Sequence, residues 1–194
     1  MKLAKIKETD QKLISKLMFN VVVPRPIAWI TTVSKDGTVN LAPFSFYNAI
    51  TTKPPLVVVS IGKRKDGSLK DTSRNIRETK EFVINVVSEE FLDKMVETGN
   101  DFPSEISEAE KLGIELEPSI EVTPPKVKGV PAALECKLKE IIEIGDTPMD
   151  LVIGEVVAIH YEPSILKTQK GIVGRLGGKR YFIVNDEIDF SQKS

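Results

Sequence analysis

Short β-branched runs punctuated by glycine, proline, asparagine and aspartate constrain this chain more than any other feature. Residues 27–33, 56–61, 82–87 and 151–161 are rich in Val and Ile, and each is bounded by turn-forming residues. Leu134, Cys136 and Leu138 alternate with Glu135, Lys137 and Lys139, the period-2 pattern of a half-buried strand. Strands that follow one another through turns, with only two or three helical stretches inserted, predict an antiparallel barrel rather than a parallel sheet.

The punctuation sets the connections. Ser34-Lys35-Asp36-Gly37 predicts a hairpin turn, with residues 38–41 returning. Pro43 has no N–H to give to a ladder, so residues 42–48 read as an edge or interrupted strand. The run 56–61 is apolar throughout and predicts a strand covered on both faces. Residues 62–67 form a loop, and Asp71 or Thr72 is expected to cap a short helix over 73–78. Ser88-Glu89-Glu90 opens a second helix that stops near Gly99, and a third covers 107–112 with Gly113 ending it. Residues 114–129 read as a surface excursion, and Gly145-Asp146-Thr147-Pro148 joins two long strands.

Of the 194 residues, 41% are hydrophobic, enough for one globular domain spanning residues 1–194 without covalent staples. The 27 Lys and Arg balance 28 Asp and Glu, so no broad basic field exists to collect nucleic-acid phosphates. One cysteine, Cys136, rules out an internal disulfide framework, and with a single histidine, His160, a conventional metal centre is not expected. Charges occupy the start of the chain where a signal peptide needs an apolar core, and no apolar run approaches the length of a membrane span. A cytoplasmic location follows as the expectation. The sequence also lacks a dinucleotide Gly-x-Gly-x-x-Gly, a phosphate loop, a His-Glu-x-x-His and a Gly-x-Ser-x-Gly elbow.

What remains suits a flat, phosphate-bearing cofactor. Residues 42–48 combine a proline-bent backbone with the aromatic faces of Phe44 and Phe46 and the polar groups of Ser45 and Asn48. Downstream, Ser60, Lys63, Arg64, Lys70, Thr72, Ser73 and Asn75 gather cations, hydroxyls and an amide before a predicted helix N-terminus, where free N–H groups favour an anion. On composition alone the same residues also describe an exposed charged loop.

Arg25-Pro26-Ile27-Ala28-Trp29-Ile30-Thr31-Thr32, Asn40-Leu41-Ala42-Pro43-Phe44-Ser45-Phe46-Tyr47 and Pro54-Pro55 before a strand ending at Ser60 resemble the flavin reductase-like family, with flavoredoxins among the nearer relatives. Lys70-Asp71-Thr72-Ser73-Arg74-Asn75-Ile76, Phe82-Val83-Ile84-Asn85, Gly154-Glu155-Val156 and Arg175-Leu176-Gly177-Gly178 with Tyr181 extend the resemblance over about residues 18–185. It implies an FMN-binding split β-barrel, mainly β with inserted helices, antiparallel and Greek-key-like, acting as a homodimer with a flavin near the subunit interface. By the same resemblance Thr31 and Thr32 lie on the flavin-lining strand. Pro43, Phe44, Ser45, Phe46 and Asn48 meet the ring and ribityl chain; Ser60, Lys70, Thr72 and Asn75 receive the phosphate; Arg175 and Tyr181 approach the site. The insertion at residues 63–69 departs from the family pattern at the phosphate end.

Beside those residues, Trp29 reads as packing rather than a flavin stack, and Cys136 as a buried, inert thiol. His160 reads equally as a structural histidine or as a residue beside the nicotinamide or flavin. The implied activity is NAD(P)H-dependent reduction of bound FMN, with electrons passed to free flavin, a ferric complex or a redox protein partner; no catalytic acid or base from the protein is required. The alternatives are a flavoredoxin-like electron carrier that does not use nicotinamide and a cofactor-free interaction module.

Overall fold

The computed structural model describes residues 1–146 and 149–189. In chain order the elements are α1 (Gln11–Val21), β1 (Arg25–Pro26), β2 (Ala28–Val33), β3 (Val39–Phe44), β4 (Tyr47–Thr52), β5 (Pro55–Ile61), α2 (Asp71–Thr79), β6 (Glu81–Asn85), α3 (Leu92–Glu97), α4 (Glu108–Lys111), β7 (Leu116–Glu117), β8 (Lys126–Val127), β9 (Ala132–Ile144), β10 (Met149–Tyr161), β11 (Val173–Arg175) and β12 (Tyr181–Ile183). Among the described residues, seven strands form one antiparallel sheet in the order β3-β2-β6-β9-β10-β5-β4. Its two edge strands, β3 and β4, are consecutive in sequence and joined only by Ser45 and Phe46. So short a link between opposite edges requires the sheet to curl round on itself, and the Ser60 N–H to Phe46 carbonyl bond (2.8 Å) fastens the link to β5.

Side-chain alternation fills both sides of the wall. On β2, Ala28 and Ile30 point into the barrel with Val57, Val59, Phe82, Ile84 and Val152, while Trp29 joins Leu41, Met95, Ala109 and Val173 in a second core outside. Each large aliphatic or aromatic side chain so buried contributes about 1.5–3 kcal/mol. Trp29 is fully buried, as expected for packing, and its indole N–H donates to Thr98 Oγ1 at 2.9 Å. Inside the barrel Phe82 lies where a Cβ on Gly154 would need to be, 2.4 Å away, so β10 passes its ring only because that residue is glycine. Cys136 is buried there too, and burial pushes its thiol far up, consistent with an inert group.

α2 carries Ile76 into the barrel core. Its polar face is fixed to β10: Arg77 donates to Asp150 Oδ1 at 2.7 Å, and the Ser73 hydroxyl donates to the same carboxylate. Burial alone would raise the Asp150 carboxyl, but the Arg77 and Ser73 donors outweigh it and hold it low.

Residues 42–48 are the interrupted edge expected of them: β3 runs through Pro43, opposite Trp29, because an edge strand needs no proline N–H on its open side, and the break falls at Ser45 and Phe46. Other expectations change. The helix of 73–78 begins earlier, at Asp71, with Lys70 at the N-cap and no side-chain cap. Instead of capping, the Asp71 carboxylate faces Arg64 and Arg74. On β5 only Val57, Val59 and Ile61 are buried; Leu56, Val58 and Ser60 are partly open, so this strand is covered on one face of the chain. Glu135 keeps its alternation, sharing with Val83 and Ala133 the face opposite Leu134 and Cys136, yet it is fully buried because residues 120–122 cover that face. Of the turn expected between β9 and β10, Thr147 and Pro148 lie outside the described residues, and Gly145 adopts φ 85°. α1, which no strand pattern announces, is capped by Asp10 and has no buried residue. Among the described residues no helix is long and apolar enough to cross a membrane.

Candidate functional site

The donors gather where β3 ends and α2 begins. A cleft there is lined by Asn40, Ala42, Pro43 and Phe44 from β3, by Arg64, Lys70, Asp71 and Thr72, and by residues 98–102 with Glu108. With no side-chain cap, the first-turn amides of α2 have no acceptor from Lys70, and the helix dipole adds positive potential at the same point. Lys70 Nζ sits 5.6 Å from the centroid of the Phe44 ring. Thr72 is positioned from behind: the Asn40 side-chain amide donates to its Oγ1 at 2.9 Å and to Thr32 Oγ1 at 3.3 Å, and Asn75 donates to the same Thr32 oxygen at 3.1 Å. Arg64 and Arg74 flank the Asp71 carboxylate and offset its charge. Glu108, at the floor, accepts the Leu41 N–H at 2.9 Å. Burial raises its carboxyl, with Asp71 adding to the effect against the Leu41 amide and Arg64.

A second cleft opens on the other side of the Ser45-Phe46 link, lined by Val22, Pro24, Arg25, Pro26, Ser45, Phe46, Tyr47, Asn48, Val58, Ser60 and Leu151, and it shares no lining residue with the first. Arg25 is its organiser. Its guanidinium donates to the carbonyls of Phe19 (3.0 Å), Val22 (2.6 Å) and Leu176 (3.0 Å) and to Ser45 Oγ (3.4 Å). It also lies against Phe19 and Phe46, whose rings stack at 5.4 Å. One buried cation thereby ties α1, the C-terminal strands and the β3–β4 link together.

The sequence model of the flavin reductase like domain matches residues 19–172. The chain belongs to the flavin reductase-like family. A protein of Aquifex aeolicus is 44% identical over 183 residues, covering 91% of this chain and 92% of its own length. Among solved structures, nitrilotriacetate monooxygenase component B from Bacillus cereus superposes with TM-score 0.89 at 33% identity, covering 97% of this chain and 98% of its own. The 2-nitrobenzoate 2-nitroreductase NbaA of Pseudomonas fluorescens gives 0.88 at 32% identity, covering 98% and 95%. The barrel is therefore the split barrel of flavin reductase-like proteins, as the sequence implied.

Within this flavin reductase-like fold the expected site residues divide. Pro43, Phe44, Lys70 and Thr72 line the first cleft, and Ser45, Phe46, Asn48 and Ser60 the second. Thr31 and Thr32 are fully buried and line neither cleft: Thr32 accepts from Asn40 and Asn75 behind the first cleft, where Asn75 is itself buried, whereas Thr31 accepts at 2.8 Å from Asn85, which in turn holds the Val127 N–H, away from that cleft. Arg175 and Tyr181 pair with each other on β11 and β12, outside the lining of both clefts, with Arg175 opposite Arg25 in register. His160 is remote from both. Its Nε2 lies 2.5 Å from Glu135 Oε1, at the end of the barrel that carries the 114–129 excursion. Arg64, read among the cations before the helix, does line the first cleft, whereas Asn40, residues 98–102 and Glu108 went unread as site residues; the Asn40-Leu41-Ala42 stretch carried a signal, and Glu108 looks like any acid in a short helix's first turn.

Proposed function

We propose that this chain is an FMN-binding oxidoreductase that takes electrons from NADH or NADPH and passes them to a small-molecule or protein acceptor. One observation carries the reading: Lys70, Arg64, Thr72 and the uncapped first turn of α2 converge on one cleft that ends at the Phe44 ring. That donor set fits a phosphate monoester attached to a flat, aromatic-seeking ring. Lys70, Thr72 and the amides of residues 71–73 would hold the phosphate, while Pro43, Phe44 and the backbone leading to Ser45 would meet the ring. When bound, the flavin supplies hydride acceptance and onward transfer of electrons one or two at a time. The chain's own part is positioning: Asn40 sets the Thr72 hydroxyl, and Arg25 sets Ser45.

The two named relatives near one-third identity, a monooxygenase component and a nitroreductase, agree with oxidoreductase work. A homodimer forms part of the proposal. Val58 on β5 is only partly covered, and Leu13, Leu17, Met18 and Val21 of α1 are exposed, an apolar surface suited to a second copy. We place the protein in the cytoplasm.

The test is an optical spectrum of the purified protein, then anaerobic titration with each nicotinamide. A flavin band that bleaches with NADH or NADPH supports the reading. A band that persists with both moves the chain to the electron-carrier alternative, and a colourless protein that ignores excess FMN overturns the proposal. Lys70→Ala is expected to weaken FMN binding by about 1–3 kcal/mol, measured by flavin fluorescence quenching; an unchanged dissociation constant would remove Lys70 from the site.

A further inference from the structure

The charged residues that line the first cleft are two cations, Arg64 and Lys70, and three acids, Asp71, Asp101 and Glu108. An anion enters such a lining only where the acids are already offset, and the three differ in this respect. Asp71 sits between Arg64 and Arg74, each in an ion pair with it. Asp101 is exposed, so water and salt screen it. Glu108 has neither protection: it is 6% exposed and makes no ion pair among the described residues. Its Oε2 accepts the Leu41 N–H at 2.9 Å, and no hydrogen bond among the described residues reaches its other oxygen.

The position of Glu108 is set by the core. Ala109, its neighbour on α4, is buried with Leu41 and Ile114, which seats the helix on β3. β3 carries no charged residue, and Glu110 and Lys111 on α4 itself are exposed. The charges facing Glu108 are therefore those of the cleft, and burial together with Asp71 already favours its protonated form. A phosphate monoester adds about −1.5 to −2 at neutral pH, with its second ionisation at about pH 6. Two oxyanions that face each other away from water repel, whereas one proton between them makes a charge-assisted O–H···O bond.

We infer that Glu108 is a specificity-determining residue of the first cleft: it shares one proton with a bound phosphate, so the cleft takes up a phosphate ester together with a proton and discriminates against sulfate, which carries none at neutral pH. The proton comes from solvent when the ester arrives as the dianion and returns there on release; no other bond changes. The inference rests on the reading that FMN places its phosphate in this cleft.

The experiment follows FMN binding to the full chain by flavin fluorescence quenching from about pH 6 to about pH 8, and by calorimetry in two buffers of unlike ionisation enthalpy. Riboflavin serves as the phosphate-free control, and Glu108→Gln, which keeps an oxygen for the Leu41 N–H, as the variant. Toward the alkaline end the FMN dissociation constant is expected to rise by up to about tenfold per pH unit, with about one proton taken up per FMN. Riboflavin should bind without proton uptake, and so should FMN in Glu108→Gln. At equal ionic strength, inorganic phosphate should displace FMN from the unmodified chain about tenfold better than sulfate, and in the variant the two should come within about threefold.

FMN bound with a flat affinity over that range and no proton uptake overturns the inference and leaves the flavin reading standing. So does equal uptake with riboflavin, which would put the proton at the ring, or undiminished uptake in a Glu108→Gln chain whose circular dichroism is unchanged. Should that variant not fold, the riboflavin control and the phosphate–sulfate contrast in the unmodified chain decide, and sulfate matching phosphate there overturns the inference. A chain that never binds FMN removes the flavin reading and this inference with it.

Discussion

Two buried carboxylates, one held against β3 and one on β9, show how donor supply decides what a buried acid does. Glu108, under the first cleft, receives one amide from β3, at 2.9 Å from Leu41, and burial raises its carboxyl. Glu135, on β9, receives the amides of Ile120 (2.9 Å), Glu121 (2.6 Å) and Val122 (3.2 Å) as well as His160. Burial would raise it too, yet His160 and those amides reverse the sign and hold it below the ordinary carboxylate value. Glu135 is thus a charged anchor that pins an otherwise irregular excursion to the sheet, whereas Glu108 is a weakly held acid in the cleft lined by Lys70 and Arg64. The largest effect is expected at the anchor. Glu135→Ala should lower the unfolding free energy by about 3–5 kcal/mol, because three amides and an imidazole lose their shared acceptor. A urea midpoint that barely moves would erase the contrast between the two acids.

That anchor marks where the sequence stopped being legible. The barrel wall was readable because β2, β5, β6 and β10 carry their burial in period-2 or continuous apolar runs, which depend on local pattern alone. The first cleft was legible in part because Lys70, Thr72 and Phe44, which line it together, fall in stretches that resemble a family. Glu135 was not, since alternation with Leu134 and Cys136 assigns it to the outer face, and only the packing of residues 120–122 over that face buries it. Thr31 and Thr32 came from the resemblance, which locates a strand without saying which side of the wall a side chain faces. Arg25 needed three separate segments to meet, residues 19–22, 45 and 176, and no local signal reports contacts at that separation.

A smaller loss is expected from the other half of the anchor. His160→Ala leaves the three amides on Glu135 and removes one bond to a charged group, a cost of about 1–3 kcal/mol. The sign with pH follows from the depressed carboxyl. Glu135 contributes stability that is complete above its unfolded pKa and is lost as pH falls through the lower, folded value. Denaturation at a series of acidic pH values should therefore show the unmodified chain losing stability on acidification more steeply than Glu135→Gln. Parallel curves would mean that the charge on Glu135 is not what holds the excursion.

Glu108 should behave in the opposite sense and by the smallest amount. Its folded pKa lies above the ordinary 4.5, so between those two values the native state holds more protons than the unfolded chain, and stability falls as pH rises through the window. Glu108→Gln keeps an oxygen for the Leu41 N–H and removes the titration. The variant should lack that decline and, at neutral pH, match or exceed the unmodified chain by no more than about 1 kcal/mol. Urea denaturation of both proteins from pH 4.5 upward is the measurement. A variant that is clearly less stable at neutral pH would show that the charged form of Glu108 is wanted in the fold, and the two buried acids would then be alike after all.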